Sequence, residues 1–160
     1  MKNRIIQFAA CCALICAALV SGTTKQAAAG GDVTVFSAKD TTFEAVVQGL
    51  NDAIVNRGFT IDYHGFIGDM LKRTAEDVGA KKELYKDAEF FTFCSAVVSR
   101  RVMEADIGNI AYCPYVLFVY EEQDMPGTVT VGFRHLPEGG GRDEVNALLE
   151  EIAKEASEGF

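Results

Sequence analysis

The segment from Phe93 to Tyr115 constrains the fold most strongly, because it holds Cys94 and Cys113, the two cysteines that follow the N-terminal apolar stretch. In an oxidising compartment two such cysteines most simply form a disulfide. A bridge needs Cα atoms within about 7 Å of each other. Antiparallel strands, or a bulge at Pro114, would bring the end of one strand and the start of the next that close together.

The N-terminus has the features of a secretory leader. Lys2 and Arg4 precede an apolar run over residues 5–20, and alanines 27–29 followed by Gly30 suit signal peptidase. The apolar run is shorter than the roughly 20 residues that a spanning helix needs. We therefore predict a signal peptide at residues 1–29 and a periplasmic or secreted protein.

The mature chain is strongly acidic. Removal of residues 1–29 takes away three basic residues and no acid, so that 12 basic residues face 23 acidic ones and the net charge changes from −8 to −11. Such a surface repels phosphate backbones and anionic lipids. We predict no nucleic-acid partner and no membrane attachment after leader removal. Metal cations, cationic ligands and basic protein surfaces remain compatible partners.

Apolar periodicity predicts a single α+β domain over residues 30–160. About 130 residues suffice for one core. Five strands and four helices are expected, as a single mixed or antiparallel sheet with helices packed on it. The core spans residues 33–137, and an amphipathic helix over 142–157 ends the chain.

Three local patterns carry most of this prediction. Residues 40–42 supply a helix N-cap, and Ser95 supplies another. The strand at 59–66 is expected to place Phe59, Ile61 and Tyr63 on one face. The helix that follows is expected to turn its apolar residues toward the core and to close at Gly79. Those core-facing residues are Ile67, Met70, Leu71, Thr74 and Val78.

The stretch from Ile110 to Glu121 is apolar on both faces, which is typical of a strand inside a sheet or at a subunit contact. Pro114 indicates a bulge there, or regular pairing that begins only after it. With residues 128–135 it forms a predicted antiparallel hairpin, with Val129, Val131 and Phe133 inward. The two-sided strand also predicts a homodimer.

Several short motifs, in this order and spacing, resemble the family called domain of unknown function 302. The resemblance identifies the chain as an exported bacterial member and implies a compact α+β fold, a tendency to dimerise and no established activity. Many members carry Cys-Asn-Pro where this chain has Cys94-Ser95-Ala96. The motifs are Gly58-Phe59, residues 68–74, Phe93-Cys94-Ser95, residues 103–106, Asn109-Ile110, Cys113-Pro114-Tyr115, residues 119–121 and Pro126-Gly127.

The most distinctive polar residues predict a ligand site around the cysteines. If the chain has a pocket, we expect it where Cys94, Ser95, Asn109, Cys113 and Tyr115 converge. The expected function is that of a binding or accessory protein for an unknown small ligand or protein partner, stabilised by the Cys94–Cys113 disulfide and needing no cofactor.

A thiol-dependent protein is the alternative function. Reduced Cys94 and Cys113 with His64, or with His135, form a ligand set that suits copper or zinc. Alternatively, the start of the helix after Cys94 would favour its thiolate and make it a nucleophile or redox centre. No Cys/His pair with an orienting carboxylate can be identified from spacing, so no enzymatic activity is assigned.

Overall fold

The computed structural model describes residues 32–159, and the predicted signal peptide at 1–29 lies outside them. The described part contains five strands, four α-helices and a 3₁₀ helix at Ile107–Tyr112. None of its helices combines the length and apolarity that a membrane crossing requires. In chain order the strands and α-helices are β1 (Val33–Lys39), α1 (Phe43–Val55), β2 (Ile61–Gly65), α2 (Ile67–Thr74), β3 (Tyr85–Phe93), α3 (Ala96–Ala105), β4 (Tyr115–Glu122), β5 (Thr128–Arg134) and α4 (Arg142–Glu158).

The strands form one sheet in the order β1-β5-β4-β3-β2, and all neighbouring pairs are antiparallel. The predicted α+β fold is therefore confirmed, and its sheet is antiparallel rather than mixed. The predicted β4–β5 hairpin is also present, with Val119 opposite Val131. Pairing of β4 begins at Tyr115, directly after Pro114, because proline has no N–H to donate to a ladder.

The hydrophobic core lies on one side of the sheet, which we call the covered face. Helices α1 and α4 pack against each other and against β1, β4 and β5, and Val102 of α3 joins the same core. The predicted stripe of α4 is buried at Val145, Leu149 and Ile152, and Leu148 is partly buried. The fully buried strand residues of the covered face are Ala38, Phe91, Phe93, Tyr115, Leu117, Val119, Val129, Val131 and Phe133.

Both predicted N-caps are confirmed. The Thr42 hydroxyl accepts a hydrogen bond of 3.2 Å from the Ala45 amide at the start of α1, and Ser95 caps α3 in the same way. Gly58, just beyond α1, adopts a left-handed φ of 79° that glycine tolerates without strain. These signals fix where the helices begin and how the chain leaves them.

The predicted facing of β2 is wrong, because a bulge interrupts its register with β3. Ile61 pairs with Phe93 but Tyr63 pairs with Thr92, so the extra residue between them reverses the alternation. Ile61 packs against the core, whereas the Tyr63 side chain turns to the opposite face and is 59% exposed.

The predicted burial of the second helix is also wrong. Helix α2 ends at Thr74 rather than near Gly79, and Gly68 is its one buried residue. Because a Cβ on Gly68 would lie 2.8 Å from the Ala88 amide nitrogen, the helix approaches the edge of β3 backbone to backbone. Met70, Leu71 and Val78, expected in the core, are exposed.

A second bulge, at Lys86 of β3, builds an ion pair into the covered face. It lies between the pairs Tyr85–Glu122 and Asp87–Glu121. The Lys86 ammonium donates to both Glu121 carboxylate oxygens at 3.0 and 3.1 Å, and the Gly127 amide donates to the same carboxylate at 2.8 Å. Buried Glu121 thereby fastens the β4–β5 turn to β3.

Candidate functional site

Cys94 and Cys113 are joined as a disulfide, with their Cα atoms 6.3 Å apart. The antiparallel register explains the approach, since Phe93 and Tyr115, their neighbours in β3 and β4, are direct partners. The strand geometry on which the bridge depends is therefore present. The disulfide ties the start of α3 to the end of the 3₁₀ helix, and both cysteines are half-buried.

Ser95 lies buried beside Cys94 and acts as the N-cap of α3. Its hydroxyl accepts a hydrogen bond of 3.2 Å from the Val98 amide. This bond occupies one of the amide donors that a helix start leaves without an internal partner. The position of Ser95 is thus explained by helix capping.

Tyr115 is the third predicted residue of the same group. Its buried phenol lies 2.9 Å from the Ser99 hydroxyl, and its ring meets Phe93 edge-on at 5.8 Å. Burial raises the pKa of the Tyr115 phenol, while the hydrogen bond with Ser99 acts in the opposite direction. The phenol therefore stays protonated in neutral solution and ties α3 to β4.

Asn109 lies apart from the other four predicted site residues. Its amide donates to the Val102 carbonyl at 2.6 Å and to the Gly140 carbonyl at 3.0 Å. Val102 is about two turns along α3 from Ser95. The Arg142 guanidinium donates to the Asn109 side-chain oxygen Oδ1 at 2.8 Å and lies over the Tyr112 ring. Asn109 thus joins α3, the 3₁₀ helix and the loop before α4.

The described structure brings Cys94, Ser95, Cys113 and Tyr115 together at one end of α3. Each of their side chains has a partner within the fold, and four surface clefts within residues 32–159 are lined by other residues. Ligand binding at this group stays a prediction that rests on the sequence.

The alternative metal set does not assemble within residues 32–159. No group of three or more His, Cys, Asp or Glu side chains there is placed to hold a metal ion. His64 instead donates from Nε2 to the Glu89 carboxylate at 2.6 Å, and its ring stacks on Phe91 at 4.0 Å. His135, the other candidate, stacks on Phe133 near the end of β5.

The other side of the sheet, which we call the open face, forms a surface that contains none of the predicted ligand-site residues. It consists of the strand residues that alternate with those of the covered face, and its large apolar members lie outside the core cluster under the helices. Cross-strand pairing sets Phe90 opposite Phe118. The large apolar members of the open face are Val33, Val35, Tyr63, Tyr85, Phe90, Val116, Phe118 and Tyr120.

Ring contacts, together with the strand pairing of Phe90 with Phe118, make the open face continuous across three strands. Tyr63 lies 5.6 Å from Phe90, Phe118 lies 6.2 Å from Tyr120, and Tyr85 lies 5.5 Å from Tyr120. These are ordinary separations for interacting aromatic pairs. The result is one aromatic surface rather than scattered exposed rings.

Two glycines let the central rings lie flat on the sheet. A Cβ on Gly132 would lie 2.8 Å from Cζ of Phe118, and a Cβ on Gly65 would overlap the Phe90 ring. Each ring therefore covers a glycine of the neighbouring strand. The open face is flat as well as apolar, which suits contact with another flat surface.

The family model for the domain of unknown function DUF302 matches residues 33–158. The chain belongs to the DUF302 family. A crystal structure of an uncharacterized conserved DUF302 protein from Bacillus stearothermophilus is similar, with a TM-score of 0.59 and 14% sequence identity. The similarity covers 76% of this chain and 97% of that chain. No curated protein is similar enough to count as a relative.

Membership of DUF302 confirms the family resemblance found in the sequence, and the similar structure supports the fold alone. The matched region extends beyond the predicted core at 33–137 and includes α4. The DUF302 fold therefore includes the helix that closes the covered face.

Sequence reasoning missed the open face, although a signal for it was present. Both sets of alternating residues in β4 are apolar, and this pattern predicted a strand inside the sheet or at a subunit contact. The bulges at Asp62 and Lys86 place Tyr63 and Tyr85 on the same open face. Alternation alone places neither residue correctly.

Proposed function

We propose that this DUF302 chain is an exported binding or accessory protein that acts as a homodimer through the open face of its sheet. The observation that carries the proposal is the continuous aromatic surface formed by Tyr63, Tyr85, Phe90, Phe118 and Tyr120. Monomeric soluble proteins rarely expose large contiguous apolar patches, and those that occur usually mark interaction sites.

The area of the open face is of the order needed for contact with a second copy of the chain. Five strands at about 4.8 Å spacing and about 20 Å length make a flat area on the order of 500 Å² before side-chain relief is added. A standard interface removes about 800 Å² of accessible surface from each partner. Because a two-fold dimer pairs one patch with itself, a flat aromatic face needs no second surface to complement it.

Charge argues against the other common partner of an aromatic sheet face. Single-stranded nucleic acids stack their bases on such faces, but they also require a positively charged groove along the backbone. The whole sequence has a net charge of −8. An apolar protein surface is therefore the better occupant.

Export is supported by the leader pattern at 1–29 together with the disulfide. Disulfides persist outside the cytosol. In the reducing cytosol, a half-buried bridge between Cys94 and Cys113 would be hard to maintain. A disulfide-stabilised domain with an open interaction face fits a binding or accessory role in the periplasm or medium.

The interface is tested with Phe118→Glu, which places two like charges at the centre of a two-fold contact. We expect light scattering at micromolar concentration to give twice the chain mass for the mature protein and one chain mass for the variant. Val97→Glu is the matched control, because Val97 is 67% exposed on α3, away from the open face. It should remain dimeric.

Two outcomes would overturn a dimer through the open face. A monomeric mature chain contradicts it directly. An F118E dimer with unchanged dissociation would move the contact elsewhere, for example to pairing between β1 edges. Circular dichroism of each variant confirms that the fold is retained.

Export is tested separately by mass spectrometry of the protein recovered outside the cytoplasm. A mature start at Gly30 and a mass lower by two hydrogens than the reduced chain support the proposal. A chain that is found only in the cytoplasm and retains residues 1–29 contradicts it. Free thiols carrying copper or zinc in undenatured protein would instead support the metal alternative.

A further inference from the structure

A cleft of about 260 Å³ lies between α2 and the segment that leads into β3. It is separate from the disulfide and from most of the open face, and it shares Tyr85 with the latter. Helix α2 forms one wall, and the turn and segment that follow it form the other. Its lining residues are Gly68, Leu71, Lys72, Ala75, Val78 and residues 80–85.

The cleft has apolar walls that the fold itself does not use. Leu71, Val78 and Leu84 line it, and all three are exposed, Val78 by 74%. Helix α2 leaves this wall free because only Gly68 of the helix is buried against the sheet edge, and Lys72 reaches the same edge with its ammonium group. Three large aliphatic side chains around one concavity indicate a site for an apolar group.

Three lysines give the cleft a charge opposite to that of the chain. Lys72, Lys81 and Lys82 line it against a single acid, Glu83. The Lys72 ammonium donates to the Lys86 carbonyl at 2.5 Å and lies 3.8 Å from Asp87, and Lys82 lies 3.4 Å from Asp124. Among residues 32–159, Lys81 makes no hydrogen bond or ion pair and is free to meet a ligand.

We infer that this cleft binds a small amphipathic carboxylate, with its apolar chain against Leu71, Val78 and Leu84 and its carboxylate at Lys81. The volume corresponds to about nine water molecules at roughly 30 Å³ each, which fits a ligand of about ten non-hydrogen atoms. The inference deepens the proposed binding function, on which it rests, by naming a ligand class.

The acidity of the whole chain does not prevent such binding. At physiological ionic strength the Debye length is about 8 Å, so most of the acidic surface is screened from a ligand in the cleft. The lysines that line the cleft act at contact distance. A carboxylate there exchanges its water shell for ammonium donors, and its chain covers apolar walls.

Octanoate is the probe, and 1-octanol is its uncharged control of equal chain length. We expect octanoate titrated into the ¹⁵N-labelled mature protein to shift amides within 68–85 saturably, with a Kd on the order of 1 mM. Octanol should bind about two- to fivefold more weakly, as loss of an exposed ion pair implies. Equal binding of the two probes, shifts centred on Phe118 and Tyr120, or no saturable shift would overturn the inference.

Two variants locate the site. Lys81→Gln with Lys82→Gln should weaken octanoate binding about two- to fivefold, whereas Lys39→Gln on β1 should leave it unchanged. Ala75→Phe should fill the cleft and abolish the shifts for both probes. Unchanged octanoate binding in A75F would overturn the assignment of this cleft.

The dimer is measured on the same samples. Loss of octanoate binding in a dimeric A75F variant leaves the open-face proposal intact. Octanoate binding to the monomeric F118E variant would show that the cleft works without the dimer. The mass of the protein in solution therefore tests the dimer, and the octanoate titration tests the cleft, independently of each other.

Discussion

Leu117 and Phe118 are neighbours in β4 but lie on opposite faces of the sheet in contrasting surroundings. Leu117 has no exposed surface and sits in the core under the helices. Phe118 is half-buried, with its ring over Gly132 and beside Tyr120. The covered face is completed by the chain's own helices, whereas the helices of residues 32–159 leave the open face out of the core.

The difference between the faces separates two uses of apolar residues. On the covered face, burial supplies the free energy that holds the monomer together. On the open face, the same kind of side chain is only half-buried by folding, and in the proposed dimer it would gain further free energy from contact with a second surface. Mutations on the two faces should therefore differ in which measurement they change.

The largest expected effect comes from Leu117→Ala. Removing a fully buried leucine side chain should lower the free energy of unfolding by about 2–5 kcal/mol. Urea unfolding at one fixed protein concentration measures this, because the stability of a dimer depends on concentration. The dimer mass should not change while the chain remains folded.

Phe118→Ala is the matched variant on the open face. At concentrations low enough for the wild type to be monomeric, F118A should lower the free energy of unfolding by less than L117A does. At higher concentrations it should weaken dimer association. Equal losses of monomer stability from L117A and F118A would break the comparison, because both faces would then be part of one core.

The next largest effect comes from the disulfide that fastens α3 to the covered side. Replacing Cys94 and Cys113 with serine should lower the free energy of unfolding by about 3 kcal/mol, as expected for a bridge with a sequence separation of 19. The dimer should persist, because the bridge lies outside the open face. A double variant that unfolds at the wild-type urea concentration would show that the bridge adds no stability.

The sequence predicted those features of the fold that depend on interactions between residues close together in the chain. Thr42 and Ser95 are helix caps because their hydroxyls accept from amides three residues on. Val129, Val131 and Phe133 point inward because strict alternation survives in β5. Cys94 and Cys113 meet because the strands before and after α3 are antiparallel.

The remaining features depend on the register between strands, which the sequence does not show. Tyr63 changes face through one extra residue in β2, and Tyr85 does so through the bulge at Lys86. The apolar residues of α2 have helical spacing, yet the helix meets only a sheet edge. Periodicity predicts that a helix has an apolar side, but not that the fold provides a surface to cover it.

Glu121 and Glu122 are neighbouring acids of β4 that lie on the covered and the open face, so that their titration also distinguishes the two faces. The Gly127 amide, followed by Lys86, lowers the pKa of buried Glu121. Its stabilising contribution is therefore present above the unfolded value near 4.5 and is lost as the pH falls through the folded pKa. Glu121→Gln should cost about 1–2 kcal/mol at pH 7 and flatten the decline in stability below pH 4.5.

Glu122→Gln is the control, since Glu122 is half-buried on the open side of the same strand. Unfolding midpoints measured from pH 7 to pH 3 compare the two variants. If the unfolding midpoint of E121Q fell with decreasing pH in parallel with that of the wild type, the loss of stability below pH 4.5 could not be assigned to Glu121.

The smallest expected effect is at Ser95, which serves as a helix cap and was predicted as a ligand-site residue. Ser95→Ala removes the acceptor for the Val98 amide and should lower the free energy of unfolding by about 1 kcal/mol. Ser95→Asp keeps a capping oxygen and should retain most of that stability. Because α3 lies on the covered side, neither variant should change the dimer mass. If S95D instead lost as much stability as S95A, capping would not explain why this serine is buried beside the disulfide.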